Sequence, residues 1–459
     1  MLTRIEIDGF KTFEKFSLDL EPFMVVVGPN ATGKSNLFDA IQLLSRLAVD
    51  DLRTAFNGLR GEPHELFRIQ PSGEPGSRMS LAVEVLLHRT VADPWGGTAR
   101  VRHTRLRYEV DLERRTDARG IERLVVARET AEPIRGNADG WRPHGRSPSA
   151  AFKRAFMSYG RSTPFLSTQD VNGIPTFHIH QDPTGGRNRS ATAAETTILS
   201  SITSAEFPHL FALREELRSW KFLQLDPGAL RKPSPKNAPE VLEPDGSNLP
   251  TVLARIEAET RTEPRPHGAL TEIGADLSRL ISGVARVDVE EDELNRKFRV
   301  KVQVGGEHAF SSGVISDGTL RVLALLTMLH DPKHSGLVCF EEPENGIHPA
   351  RLEALIDILR GMVTRADLTH YDERAALTQM LLNSHSPVVL SHLDGTEVVF
   401  ADTVTVVDPA SRTRSRKTRM RRIVPDDQGD LGIGQRDRGG YATRFDVAQY
   451  LKTVVQQAG

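Results

Sequence analysis

The sequence predicts an α/β protein: a parallel core sheet, an antiparallel β subdomain and an inserted helical lid. Three observations carry this reading. Phe23–Val27 and residues 337–340 are short, unbroken apolar runs, the pattern of strands buried on both faces. Residues 79–126 alternate apolar and polar side chains, as antiparallel strands of a half-exposed sheet do. Residues 131–283 change to short helical stretches and polar loops, with Pro-rich segments at 226–239 and 261–268.

Taken in order, residues 1–20 read as a hairpin, with Leu2, Ile5 and Ile7 on one strand and Phe16, Leu18 and Leu20 on the other. The strand at 23–27 ends in Gly28-Pro29-Asn30, and residues 35–47 place Leu37, Ile41, Leu44 and Leu47 at helical spacing. After the inserted stretch, period-2 patterning returns at 287–304, a helix is expected at 319–329, a strand at 337–340, a helix at 352–359 and a strand at 380–382. The expected units are an N-terminal lobe (1–130), the lid (131–283), a C-terminal lobe (284–404) and a basic C-terminal extension (405–459). No sustained heptad and no repeat of fixed period is present.

Composition removes several classes. The chain has 459 residues with 38% hydrophobic content, enough for a large core. No run approaches the 18 or so apolar residues of a membrane span, so no membrane association is expected. Glu6, Asp8 and Glu14 stand where a signal peptide needs an unbroken apolar stretch. The single cysteine, Cys339, forbids an internal disulfide and favours a reducing, cytoplasmic setting. Lys and Arg (59) nearly balance Asp and Glu (61), so any attraction to nucleic acid must come from a local patch.

Gly28-Pro29-Asn30-Ala31-Thr32-Gly33-Lys34-Ser35 fits the pattern G-x-x-x-x-G-K-[ST]. Glycines let backbone N–H groups wrap phosphates, Lys34 reaches the β and γ oxygens, and Ser35 ligates Mg²⁺ at the positive end of the following helix, with Asn36 beside it. A strand ending in Glu341-Glu342 supplies the second part. Glu341 is expected at the metal, and Glu342 at the attacking water. Between them, Ser316-Asp317-Gly318-Thr319 opens an apolar helix with Ser316 or Asp317 as N-cap, and His385 follows a short strand.

The order of these motifs resembles the heads of ATP-binding-cassette ATPases of the RecF-like and structural-maintenance-of-chromosomes-like kind. The similarity is closest to a stand-alone bacterial AAA-family subgroup of the defence-associated type. Its motifs appear here as Ser316 to Arg321, Glu341 to Pro349 and Ser384 to Pro387, with further likeness at Phe10 to Phe13, Trp220 to Pro233 and Asp245 to Leu249. The resemblance implies ATP and Mg²⁺ as cofactors and two heads that sandwich two ATP molecules. Each ATP would lie on one subunit's loop and meet Ser316, Asp317, Gly318 and Thr319 of the other. It also implies His385 as the γ-phosphate switch, and Glu344 and Asn345 in a loop that communicates between sites. Lys11 and Phe13 are the expected adenine contacts. Gln70, Gln169 and Gln181 all remain candidates for the glutamine that links Mg²⁺ to the lid. The sequence departs from the transporter pattern at Asp317, where transporters have glycine, and at Glu341, where aspartate is usual.

Residues 411–422 hold seven basic side chains. Arg412, Arg414 and Arg416, then Lys417 and Arg419, fall in two rows of an extended segment, which reads either as a solvated edge strand or as a strip contacting DNA or RNA phosphates. His178 and His180 share a strand face without a third metal ligand. No zinc set, nucleophile triad or nuclease carboxylate cluster is evident. The expected function is an ATP-driven, dimerising switch acting on an effector such as a nuclease. A DNA-bound repair ATPase and an ATP-locked scaffold are the alternatives.

Overall fold

The computed structural model describes residues 1–70, 73–117, 119–180, 186–306, 308–407, 414–423 and 441–442. The chain divides into two compact units. The first comprises Met1–Trp220, Thr364–Gln379 and the described residues from Gly395; the second comprises Lys221–Val363 and Met380–Asp394.

The first unit holds an eight-stranded antiparallel sheet. Its spatial order is Gly186–Ser190, Ile174–His180, Leu166–Val171, Glu122–Pro133, Arg105–Thr116, Arg78–Leu86, Leu2–Asp8 and Phe16–Asp19. Register follows the alternation in the sequence: Ile5 faces Val83 and Ile7 faces Leu81, so the apolar residues share the buried face. The three strands between 166 and 190 arise inside the stretch expected as lid. Apolar residues are few there: Phe177 and Ile179 are buried in Ile174–His180, Leu166 alone is buried in Leu166–Val171, and Gly186–Ser190 has none, so no alternation stands out in the sequence.

Beside this sheet the unit builds a parallel pair. Phe23–Val27, buried at all five positions, runs parallel to Val398–Val407, with Val25 opposite Val398. Val398–Val407 is paired antiparallel over its length with Arg414–Ile423. The basic stretch is therefore a sheet strand whose neighbours offset its charge. Arg419 forms a two-pronged ion pair with Asp402 at 2.9 and 2.7 Å, and Arg421 shares that carboxylate. Alternation turns Thr418 and Met420 to the buried side.

In the second unit, Lys221–Leu223 runs parallel to Gly336–Glu341, and Met380 to Ser384 lies beside the latter. Helix Asp317–Leu329 begins where expected, capped by Ser316 Oγ accepting from Thr319 N–H at 3.2 Å. Val284–Asp292 and Lys297–Val304 form an antiparallel hairpin, and Leu352–Gly361 is a helix. Among the described residues no helix is long and apolar enough to cross a membrane.

One buried carboxyl in the first unit titrates in the neutral range. Glu129 is fully buried, accepts from Ile198 N–H at 2.6 Å, Leu199 N–H at 3.0 Å and Tyr108 Oη at 3.0 Å, and burial pushes its pKa from 4.5 to about 7. The folded state thus holds a proton that the unfolded state has lost between pH 4.5 and 7, so stability falls as pH rises through that window. Its contribution to that fall is about 3 kcal/mol across the window. Chemical denaturation at pH 5, 6, 7 and 8 checks this: the Glu129→Gln chain should show a shallower decline than the wild type.

Candidate functional site

The phosphate loop leaves the buried strand Phe23–Val27 and enters helix Lys34–Leu47. Three of its residues, Gly28 (φ 152°), Ala31 (φ 60°) and Gly33 (φ 95°), have positive φ values that curl the backbone. Gly33 is also required by space, because a Cβ there would collide with the Thr418 hydroxyl. The helix start carries no side-chain cap, which leaves its first N–H groups available to an anion. Lys34 Nζ donates to Gly28 O at 2.7 Å and Pro29 O at 2.8 Å, folding its ammonium back over the loop mouth. Thr32 Oγ1 donates to Pro29 O at 2.8 Å, while Pro29, Asn30 and Ala31 are exposed at the rim.

The hairpin residues expected at adenine lie close to the loop in sequence order and have these surroundings. Phe13 is fully buried with its ring 4.5 Å from that of Phe16, and Lys11 Nζ pairs with Asp39 at 2.7 Å. The residue between them, Thr12, is the one that reaches the loop: its Oγ1 accepts from Asn36 Nδ2 at 2.9 Å and lies 2.6 Å from Thr418 Oγ1. Neither threonine stands out in the sequence, since no motif marks them and they are some 400 positions apart.

The other motif residues gather in the second unit. Residues 337–340 are buried, and the strand delivers Glu341 and Glu342 at its end. Glu342 sits at φ 53°, a left-handed conformation that costs a glutamate about 1–3 kcal/mol and persists only when its surroundings enforce it. Those surroundings are visible. Glu342 N–H donates to Asn383 O at 2.9 Å, its Oε1 lies 3.2 Å from His385 Nδ1, and its Oε2 accepts from Asn345 Nδ2 at 2.6 Å. Ser384 Oγ donates to Glu344 Oε1 at 2.6 Å, tying the strand before His385 to the loop after Glu342.

The signature turn joins the same cluster. Gly318 packs backbone against backbone on Gly346: a Cβ on Gly318 would lie 2.5 Å from the Gly346 Cα. Asp317 is exposed and forms an ion pair with Arg231, whose other guanidinium nitrogen donates to Ile315 O at 2.8 Å. Thr319 is buried and its hydroxyl lies 2.7 Å from Ser316 Oγ.

Ser35 in the first unit and Glu341 in the second are each a hard oxygen donor of the kind Mg²⁺ takes. Among the described residues no group of three or more His, Cys, Asp or Glu side chains is placed to hold a metal, and His180 is engaged with Ser167 at 2.9 Å. Burial pushes the Cys339 thiol up, leaving it neutral and inert. Gln70 and Gln169 are exposed, and Gln181 lies outside the described residues. In the basic strip, Arg414 and Arg416 are exposed, Lys417 lies 3.8 Å from Glu14, Arg419 is paired as above, and Arg412 lies outside the described residues.

Residues 23–391 match a family described as "AAA domain, putative AbiEii toxin, Type IV TA system". A 61-residue stretch is 46% identical to the chromosome partition protein Smc of Methanocaldococcus jannaschii, covering 13% of this chain and only 5% of that protein. Among solved structures, the chain is similar to an Smc head bound to the C-winged helix domain of ScpA, at 13% identity and TM-score 0.47 over 92% of this chain and 97% of that one. It is also similar to the SMC head domain from Thermotoga maritima, at 10% identity and TM-score 0.39 over 92% and 99% of the two chains.

The Gly318–Gly346 contact gives a sharp expectation. If the site hydrolyses ATP, Gly318→Ala should displace the loop that follows Glu342 and lower that turnover about 100-fold, the scale of a misplacement near 1 Å, with the melting temperature lowered as well because the atoms that must shift are backbone. Steady-state phosphate release beside a thermal melt measures both; unchanged turnover would show that the contact has no role.

Proposed function

The chain belongs to that family of AAA domains, and we propose that it is an ATP-hydrolysing switch that dimerises with ATP and controls an effector protein, a nuclease in antiphage defence. The observation that carries this reading is the grouping of Glu342, Asn345 and His385 on one loop system, pressed through Gly346 onto the signature turn. A structural surface loop has no use for a strained glutamate held from three sides.

In this reading the loop N–H groups and Lys34 hold the phosphates, and Lys34 exchanges its two carbonyl partners for β and γ oxygens. Ser35 and Glu341 would hold Mg²⁺, which neutralises charge developing on the phosphates. Glu342 orients the attacking water and accepts its proton, and His385, 3.2 Å from that carboxylate, senses the γ-phosphate. Ser316 and Gly318 address the ATP bound by a second copy. Such groups arriving in trans raise phosphoryl-transfer rates by about 10³–10⁵ in other systems, which would make turnover depend on assembly. The family description, naming a toxin–antitoxin system, supports a defence role and an effector whose activity the switch gates.

Two variants separate binding from chemistry. Lys34→Ala should abolish ATP binding. Glu342→Gln should bind ATP normally, lose turnover by about 10²–10⁴, the share general-base catalysis supplies, and accumulate as a dimer. Equilibrium titration, phosphate release and light scattering read the three quantities, and a Glu342→Gln chain with wild-type turnover would contradict the assignment.

A further inference from the structure

We propose that Thr418, on strand Arg414–Ile423, is a positioning residue for nucleotide binding: with Thr12 and Asn36 it forms a hydrogen-bond relay that sets the phosphate loop's backbone. This rests on the reading of residues 28–35 as the ATP-binding loop. Thr418 Oγ1 donates to Thr32 O at 2.9 Å and so has spent its only proton. The 2.6 Å contact with Thr12 Oγ1 must therefore run from the Thr12 hydroxyl to Thr418, and Thr12 in turn accepts from Asn36 Nδ2 at 2.9 Å. The relay runs one way, from the Asn36 amide through two hydroxyls to the Thr32 carbonyl. Every hydroxyl donates once and accepts once, the arrangement in which successive bonds polarise one another.

The relay's end point gives it consequence. Thr32 C=O and Gly33 N–H belong to one planar trans peptide unit and point in opposite directions. Holding the carbonyl on Thr418 therefore turns the Gly33 N–H the other way, and Gly33 is the residue whose left-handed φ starts the helix. The relay's start, Asn36, lies on the first turn of that helix. The loop is thus gripped both before and after Lys34. A further bond, Thr418 N–H to Thr12 O at 3.0 Å, fixes the two threonines to each other through the backbone. Thr418 is 5% exposed, so its hydroxyl cannot exchange these partners for bulk water.

Thr418→Val keeps the shape and removes the hydroxyl, leaving the Thr32 carbonyl and the Thr12 proton without this partner. In the full chain, titration with a fluorescent ATP analogue in Mg²⁺ should show binding about tenfold weaker, the effect of one buried hydrogen bond lost. Thr418→Ser should restore affinity, and in steady-state turnover Thr418→Val should raise KM while kcat is retained. Thr12→Val interrupts the relay at a half-buried position and should weaken binding likewise, which keeps the test open should Thr418→Val fold poorly. Wild-type affinity in both valine variants overturns the relay, as does a Thr418→Ser chain as weak as Thr418→Val, since only the methyl would then matter. A wild-type chain that binds no ATP refutes the nucleotide reading itself.

Discussion

A backbone that wraps phosphate with its own N–H groups must bend through conformations that most residues avoid, and something must hold it there. In this chain the holding is distributed. Buried Phe23–Val27 anchors one end of the loop, helix Lys34–Leu47 the other, and Lys34 bridges the mouth through two carbonyls. Left-handed Ala31 and Gly33 carry the bend. The strand Arg414–Ile423 closes the back of the loop, so tightly that Gly33 has no room for a side chain beside Thr418. A segment that composition alone marks as a charged tail is thus a structural neighbour of the phosphate loop.

The second unit meets the same demand by other means. Glu342 is held in a costly conformation by its backbone bond to Asn383 and by side-chain contacts with His385 and Asn345. Gly318 and Gly346, having no side chains, let the signature turn lie directly on the loop that carries this glutamate. Backbone packed on backbone transmits displacement with little slack. Under the proposed function, a group that engages the signature turn would act on the loop carrying Glu342 of the same chain.

What the sequence discloses follows from the range of the interactions involved. The phosphate loop, the apolar strand before it, the Ser316 cap and the Glu341-Glu342 strand end are local patterns, and each lies where its pattern places it. The strands between 166 and 190 show too little alternation because they carry few apolar residues, Gly186–Ser190 none. The role of Arg414–Ile423 depends on Asp402 opposite Arg419 and on Thr418 against Thr12, pairings set by sheet register that no local pattern records. Asp317 pairs with Arg231, 86 positions away, a contact no local pattern records. In the hairpin, Thr12 bonds to Asn36 at the start of the helix after the loop, and Phe13 fills the core.

The central claim is that a working site is composite, with the loop from one copy and the signature turn from another. Mixing two inactive chains tests it most directly: Lys34→Ala, which lacks a working loop, and Ser316→Arg, whose bulk blocks the exposed turn. A mixed dimer regains one complete site of its two, so combined ATP turnover should rise well above that of either chain alone. Turnover that stays at the level of the separate variants, with mixed dimers present, would contradict the account.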